Sequence, residues 1–160
     1  MATQDNFQSP DYYLLDDFLT EEHLLIRKTL RDFVKGEISP IIEEVCQSCT
    51  FPKQLLPKLG ELGCFGPFIP SKYGGAELDY ISYGLIMQEL ERGDSGIRST
   101  ASVQSSLVMF PIFNYGTEEQ RVKYLPKLAT GETMGCFGLT EPNHGSNPAG
   151  MESRFSDQGD

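Results

Sequence analysis

From Thr20 to Gly131 apolar residues recur at helical spacing, and beyond Gly131 that recurrence stops. This one change of pattern limits the fold more than anything else in the chain. Ahead of it, Thr20 is placed to cap a first helix, with Glu21 and Glu22 at its positive end and Leu24, Ile26, Leu30, Phe33 and Val34 along it. Pro40 ends that helix or begins the next, Ile41 to about Gln47. After Pro52, Leu55, Leu56, Leu59 and Leu62 predict another helix stopped by Gly63, its start left open by Pro57. Residues 64–78, with Gly66, Pro67, Pro70, Gly74 and Gly75, read as a compact loop. Asp79 caps a helix to about Arg92, Gly93-Asp94-Ser95-Gly96 interrupts, and a second helix runs to Asn114. Thr117 with Gln120 forms a capping box for the last helix. About six helices joined by short turns predict an all-α bundle. His23 is expected on a solvated helix face. Residues 1–18, with Tyr12, Tyr13 and Phe18, are expected to lie as an arm over the body.

Residues 133–140, Thr-Met-Gly-Cys-Phe-Gly-Leu-Thr, have no helical period and predict a strand leading into a turn-rich loop, 141–150. A lone strand leaves its backbone N–H and C=O groups unpaired, so this segment begins a sheet that the sequence does not contain. The expected fold is therefore mainly α: an arm at 1–18, an all-α bundle at 19–131, and at 132–160 the first strand and loop of a truncated β-domain.

Composition removes several functions. At 39% apolar and 22% charged, the chain suits a folded globule rather than a disordered one. A net charge of −10 supplies no basic face for nucleic acid or for an anionic membrane surface. No apolar run approaches the roughly 20 residues that span a bilayer. The first ten residues lack the pattern of a secretory or transit signal, so the expected location is cytoplasmic. Four cysteines are too few for a disulfide scaffold. Cys46-Gln-Ser-Cys49 has no second pair or nearby histidine to complete a zinc site and reads as a helix-end coincidence.

Two clusters could carry chemistry. Gly138, Gly145 and Gly150 let backbone approach a ligand closely, and Thr140 and Ser146 offer hydroxyls; free N–H groups there could hold a phosphate or the polar edge of a ring. An ordinary strand-exit turn accounts for the same composition, and composition alone favours it. The second cluster is Glu91 to Ser99. Arg98 lies in the first turn of a helix, where the dipole disfavours a cation. It could receive a ligand carboxylate in a bidentate pair, or pair internally with Glu91 or Asp94.

Together these segments resemble the acyl-CoA dehydrogenase family of FAD flavoproteins. Phe137-Gly-Leu-Thr-Glu-Pro-Asn-His-Gly-Ser146 is similar to the family's flavin-binding signature. Tyr73-Gly-Gly75, Gln104-Ser-Ser-Leu107 and Tyr115-Gly-Thr-Glu-Glu-Gln-Arg-Val-Lys-Tyr-Leu-Pro126 follow in family order. The resemblance runs from about residue 17 to 153. Within the family, Glu91 to Ser99 with Gln104 to Val108 is most similar to glutaryl-CoA dehydrogenases.

The resemblance implies that FAD is held by Phe137, Gly138, Leu139, Thr140, Glu141, Pro142, Asn143, His144, Gly145 and Ser146. It implies that Glu91, Arg98, Ser99 and Ser146 face the acyl-CoA substrate, with Arg98 on the distal carboxylate of a glutaryl group. The implied reaction is oxidative decarboxylation of glutaryl-CoA to crotonyl-CoA, with electrons passed to an electron-transfer flavoprotein by a homotetramer. No catalytic residue is assigned in this chain, because the family's catalytic glutamate lies in a later segment. His144 stands where the family usually has a small residue, and Asn147 where it has an aspartate. An acyl-CoA dehydrogenase or oxidase of other specificity, and a non-catalytic helical interaction module, are the competing readings.

Overall fold

A computed structural model describes residues 11–159, and among these residues 21–129 carry seven α-helices. The first ten residues of the expected arm lie outside the described residues. The helices are α1 (Glu21–Phe33), α2 (Ile42–Gln47), α3 (Leu55–Glu61), α4 (Tyr80–Gly93), α5 (Ser95–Ser102), α6 (Phe110–Tyr115) and α7 (Glu118–Ala129). A π-helical turn, Val34–Ile38, extends α1, and a longer one, Val103–Met109, joins α5 to α6. The single helix expected from Ser95 to Asn114 is thus interrupted at its centre. Such segments are rare and cluster at functional positions.

Caps set the helix starts as the sequence anticipates. Asp79 accepts from Ser82 N at 2.8 Å, Asp94 from Ile97 N at 2.9 Å, and Thr117 and Gln120 form the reciprocal box. Pro57 falls in the first turn of α3, where its missing N–H costs no intrahelical bond. Leu30, Val34 and Ile38 on one side and Ile86, Leu90, Ile97 and Ala101 on the other, all at most 2% exposed, form the centre of the core. Leu125, Leu128 and Met109 continue it, together with Leu55, Leu59, Phe65, Ile69 and Tyr73.

His23 is not solvated as expected; it is 6% exposed. Its Nδ1 accepts from Thr20 N and its Nε2 lies 2.9 Å from Asp79 Oδ2. The imidazole thereby joins the starts of α1 and α4, a tertiary role that helical spacing does not encode. Glu89 is also buried, at 0% exposure. Arg31 donates to both its oxygens at 3.0 and 2.8 Å, and Arg92 lies 3.3 Å away, so the charge is paired rather than stranded. The arm differs from expectation in its described part. Leu15–Phe18 forms one 3-10 turn tied to α1 by Arg27 and Asp16, while Tyr12, Tyr13 and Phe18 stay exposed.

The strand expected over residues 133–140 is not formed. Those residues carry no regular secondary structure, and the one isolated β-bridge among the described residues joins Glu141 to His144. A strand exists through its ladder, and no described segment lies alongside to complete one.

Candidate functional site

The site begins where the chain leaves the helices. Gln104, in the π-helical turn, is fully buried. Its Nε2 donates to Leu128 O at 2.8 Å and Thr133 O at 2.9 Å, while its Oε1 accepts from Gly135 N at 2.9 Å. One side chain thus ties the end of α7 and the outgoing segment to the bundle. Gly135 runs so close that a Cβ there would lie 2.4 Å from Val108 Cγ1. The neighbouring Ser105 hydroxyl donates to Cys64 O and accepts from Gly66 N, fixing the start of the 64–78 loop in the same way.

This anchoring makes the segment one wall of a groove of about 550 Å³. Met134, Gly135, Cys136 and Phe137 line it from that segment, together with Ser99, Thr100 and Val103 from the helices and Phe51, Lys53 and Leu56 from around the start of α3. Ser99 and Phe137, two of the residues singled out in the sequence, therefore face one space. Thr140 and Ser146 are exposed and do not line it.

Arg98 immediately precedes Ser99. Its Nε donates to Glu91 Oε2 at 2.5 Å, and Nη1 lies 3.4 Å from Ser102 Oγ. Glu91 also accepts from Ser95 Oγ, and the Arg98 guanidinium, with that hydroxyl second, holds its carboxyl below the usual glutamate range. Both side chains remain solvent-accessible, at 33% for Arg98 and 46% for Glu91. The internal pair weighed in the sequence is therefore present, with Glu91 rather than Asp94 as partner. A ligand carboxylate could take over part of that fork.

Beyond Phe137 the loop organises itself around Glu141. Its carboxylate accepts from Glu152 N at 2.9 Å and Ser153 N at 2.8 Å, and these donors hold its pKa down. Pro142 and Asn143 form the turn between Glu141 and His144, Leu139 precedes it without regular structure, and nothing stands within 4 Å of a Cβ built on Gly138 or Gly145. His144 Nε2 lies 3.7 Å from Glu152 Oε1, whereas its Nδ1 is buried without a hydrogen-bond partner. That nitrogen lies against Gly150, where a Cβ would stand 2.7 Å from it, and an orphaned ring nitrogen in a loop with two open glycines suits a ligand carrying polar ring atoms.

Sequence reasoning missed the part played by Gln104 and the lining at Phe51, Lys53 and Leu56. A signal for Gln104 was available: it occupies the stripe Ile97, Ala101, Gln104, Val108, where a polar residue must find buried partners. Among the described residues no group of three His, Cys, Asp or Glu could hold a metal ion. None of the described helices is long and apolar enough to cross a membrane.

The family described as "Acyl-CoA dehydrogenase, N-terminal domain" matches residues 20–132. The chain is 42% identical over 144 residues to the probable acyl-CoA dehydrogenase YngJ of Bacillus subtilis (strain 168), covering 89% of this chain and 37% of that protein. Its fold superposes with a TM-score of 0.82, at 48% identity, on a glutaryl-CoA dehydrogenase from Mycobacterium smegmatis in complex with FADH2, over 85% of this chain and 35% of that one. It also superposes, with a TM-score of 0.79 at 39% identity, on a chain from the electron transferring flavoprotein study of Acidaminococcus fermentans, over 82% of this chain and 35% of that one. The chain thus spans just over a third of the length of these relatives.

Proposed function

This chain belongs to the acyl-CoA dehydrogenase family through its N-terminal domain, and from that premise we propose that it forms the first part of an FAD-dependent dehydrogenase acting on glutaryl-CoA. The observation that carries the substrate assignment is the accessible Arg98–Glu91 pair, which does not itself line the groove but adjoins Ser99, which does. A dicarboxylate needs a cation at its far end, because a carboxylate drawn out of water without one is costly. Arg98 supplies that cation, and its fork can exchange part of its contact with Glu91 for the substrate carboxylate.

The loop fits FAD on two counts, the orphaned His144 Nδ1 and the open space over Gly138 and Gly145. Bound FAD would supply the hydride acceptor for desaturation of the acyl chain. In this reading Phe137 to Ser146 line the cofactor, with Thr140 donating its hydroxyl and Ser146 lying between cofactor and CoA. Gln104 fixes where that lining begins. The base that removes the α proton is assigned to no residue of this chain. Residues 132–160 are assigned to the start of a β-domain, following a bundle at 19–131. The electrons go to an electron-transfer flavoprotein, the glutaryl product loses CO2 to give crotonyl-CoA, and the assembled enzyme is a cytoplasmic homotetramer.

One observation favours a second reading, a dehydrogenase of monocarboxylic acyl-CoA. Arg98 already has Glu91 as partner and needs no ligand to satisfy it. The catalytically competent protein carrying this chain separates the two. Arg98→Gln is expected to cut kcat/KM for glutaryl-CoA by about a hundredfold, the loss of a charge-assisted pair, while changing butyryl-CoA turnover little. Equal losses on both substrates would remove the dicarboxylate assignment.

A further inference from the structure

The C-terminal turns of α2 and α3 follow one hydrogen-bond plan with different residues at the critical position. In α3, Gly63 N donates to Gly60 O and Cys64 N to Leu59 O, and Gly63 has a φ of +69°. That is a Schellman motif, with the left-handed position filled by glycine as usual. In α2, Cys49 N donates to Cys46 O at 3.2 Å and Thr50 N to Val45 O at 3.1 Å, yet the left-handed position belongs to Cys49, at φ +52°. A side chain there costs energy that glycine would avoid.

The same hydrogen bond limits the distance between the Cα atoms of two cysteines. A turn closed from residue i to residue i+3 keeps its end Cα atoms within about 7 Å. Disulfides span Cα separations of about 4.4 to 6.8 Å. Cys46 and Cys49 are both free and both exposed, whereas Cys64 is buried and its thiol is pushed up to about 12 by burial. Cys136 is exposed on the outgoing segment, among the residues that line the groove.

We propose that Cys46 and Cys49 form a vicinal dithiol that closes reversibly to a disulfide on reaction with a low-molecular-weight disulfide such as oxidised glutathione. One of the two sulfurs attacks the small disulfide, forming a mixed disulfide and releasing one glutathione. The other sulfur displaces the second glutathione and forms the Cys46–Cys49 bond. Two protein thiols are oxidised by two electrons, and one oxidised glutathione becomes two reduced molecules, which carry away both protons. The second step is intramolecular, which gives the pair its advantage over an isolated surface cysteine. The bridge fixes the turn two residues ahead of Phe51, a lining residue of the groove.

The test treats this chain with increasing oxidised glutathione and follows intact mass and peptide maps. Expected is a species lighter by two hydrogens, with the bond mapped to Cys46–Cys49 and reversed by dithiothreitol. Half-conversion should need about tenfold less reagent than the glutathione adduct at Cys136. Cys46→Ser and Cys49→Ser should each remove that species and leave a glutathione adduct on the remaining thiol. Retained resistance of Cys64 to alkylation reports that each variant is folded. Two adducts on one molecule without a bridge, a bridge to Cys136, or no reaction at either residue would overturn the proposal.

Discussion

The helical region and the segment that follows Gly131 are placed by opposite means. The bundle buries residues such as Ile38, Leu59, Leu90 and Leu125 to 0% exposure and satisfies its backbone within helices and caps. The outgoing segment buries almost nothing: residues 136–140 are exposed and Phe155 is 93% exposed. It is held at its root by Gln104 and within its loop by Glu141. A few well-made polar bonds can position a segment whose own apolar side chains contribute little. Dispersion and hydrophobic burial then govern one region, and hydrogen-bond geometry governs the other.

The most direct way to break this comparison is to delete apolar contacts in each region. Leu90→Ala is expected to cost about 3 kcal/mol, from lost transfer energy and the cavity left behind. Phe155→Ala should change stability by less than about 0.5 kcal/mol, as for an exposed residue. Urea denaturation of both variants provides the measurement, and comparable losses would show that the outgoing segment is packed after all. Next in size is Gln104→Ala, at about 2 kcal/mol, because Leu128 O, Thr133 O and Gly135 N all lose a buried partner. Its signature is regional: amide exchange should accelerate at Gly135 and beyond, with helix α4 keeping its protection. Uniform acceleration across the bundle would make Gln104 an ordinary core residue.

The bundle was legible because its determinants are local. Asp79, Asp94 and Thr117 announce helix starts through side chains that bond three residues ahead, and the apolar spacing names the buried face. His23 and Glu89 escaped because their partners, Asp79 and Arg31, lie more than fifty positions away. Spacing places both on a helix but says nothing of what faces them. The Glu91–Arg98 pair was visible as one of two options, since both residues fall close in sequence across a helix junction. The groove was not, because Phe51 and Met134 meet only through the fold. Residues 133–140 show the converse: an apolar, non-helical pattern reports a tendency to extend, while a strand also requires a neighbour.

The smallest effect sharpens the comparison through pH, because each region contains a carboxylate held below its ordinary range. Asp79 drops from 3.8 to about 2, first through the N–H of Ser82, then through the Ser82 hydroxyl and His23. Glu141 drops below 4.5 through the N–H groups of Glu152 and Ser153. A depressed folded-state pKa contributes stability above the unfolded value and loses it as pH falls through the folded value. For Asp79 that window runs from about 4 down to about 2. The capped carboxylate starts α4 and meets His23 from α1, so its protonation should loosen a seam on which the whole bundle depends. The difference in urea midpoint between the wild-type chain and Asp79→Asn should be constant above about pH 4 and shrink toward pH 2. Glu141→Gln should leave the midpoint unchanged while the amide resonances of Glu152 and Ser153 shift, because its bonds close only a loop. A midpoint that falls as far for Glu141→Gln as for Asp79→Asn would mean that the loop is part of the cooperative fold, and the division between the two regions would then fail.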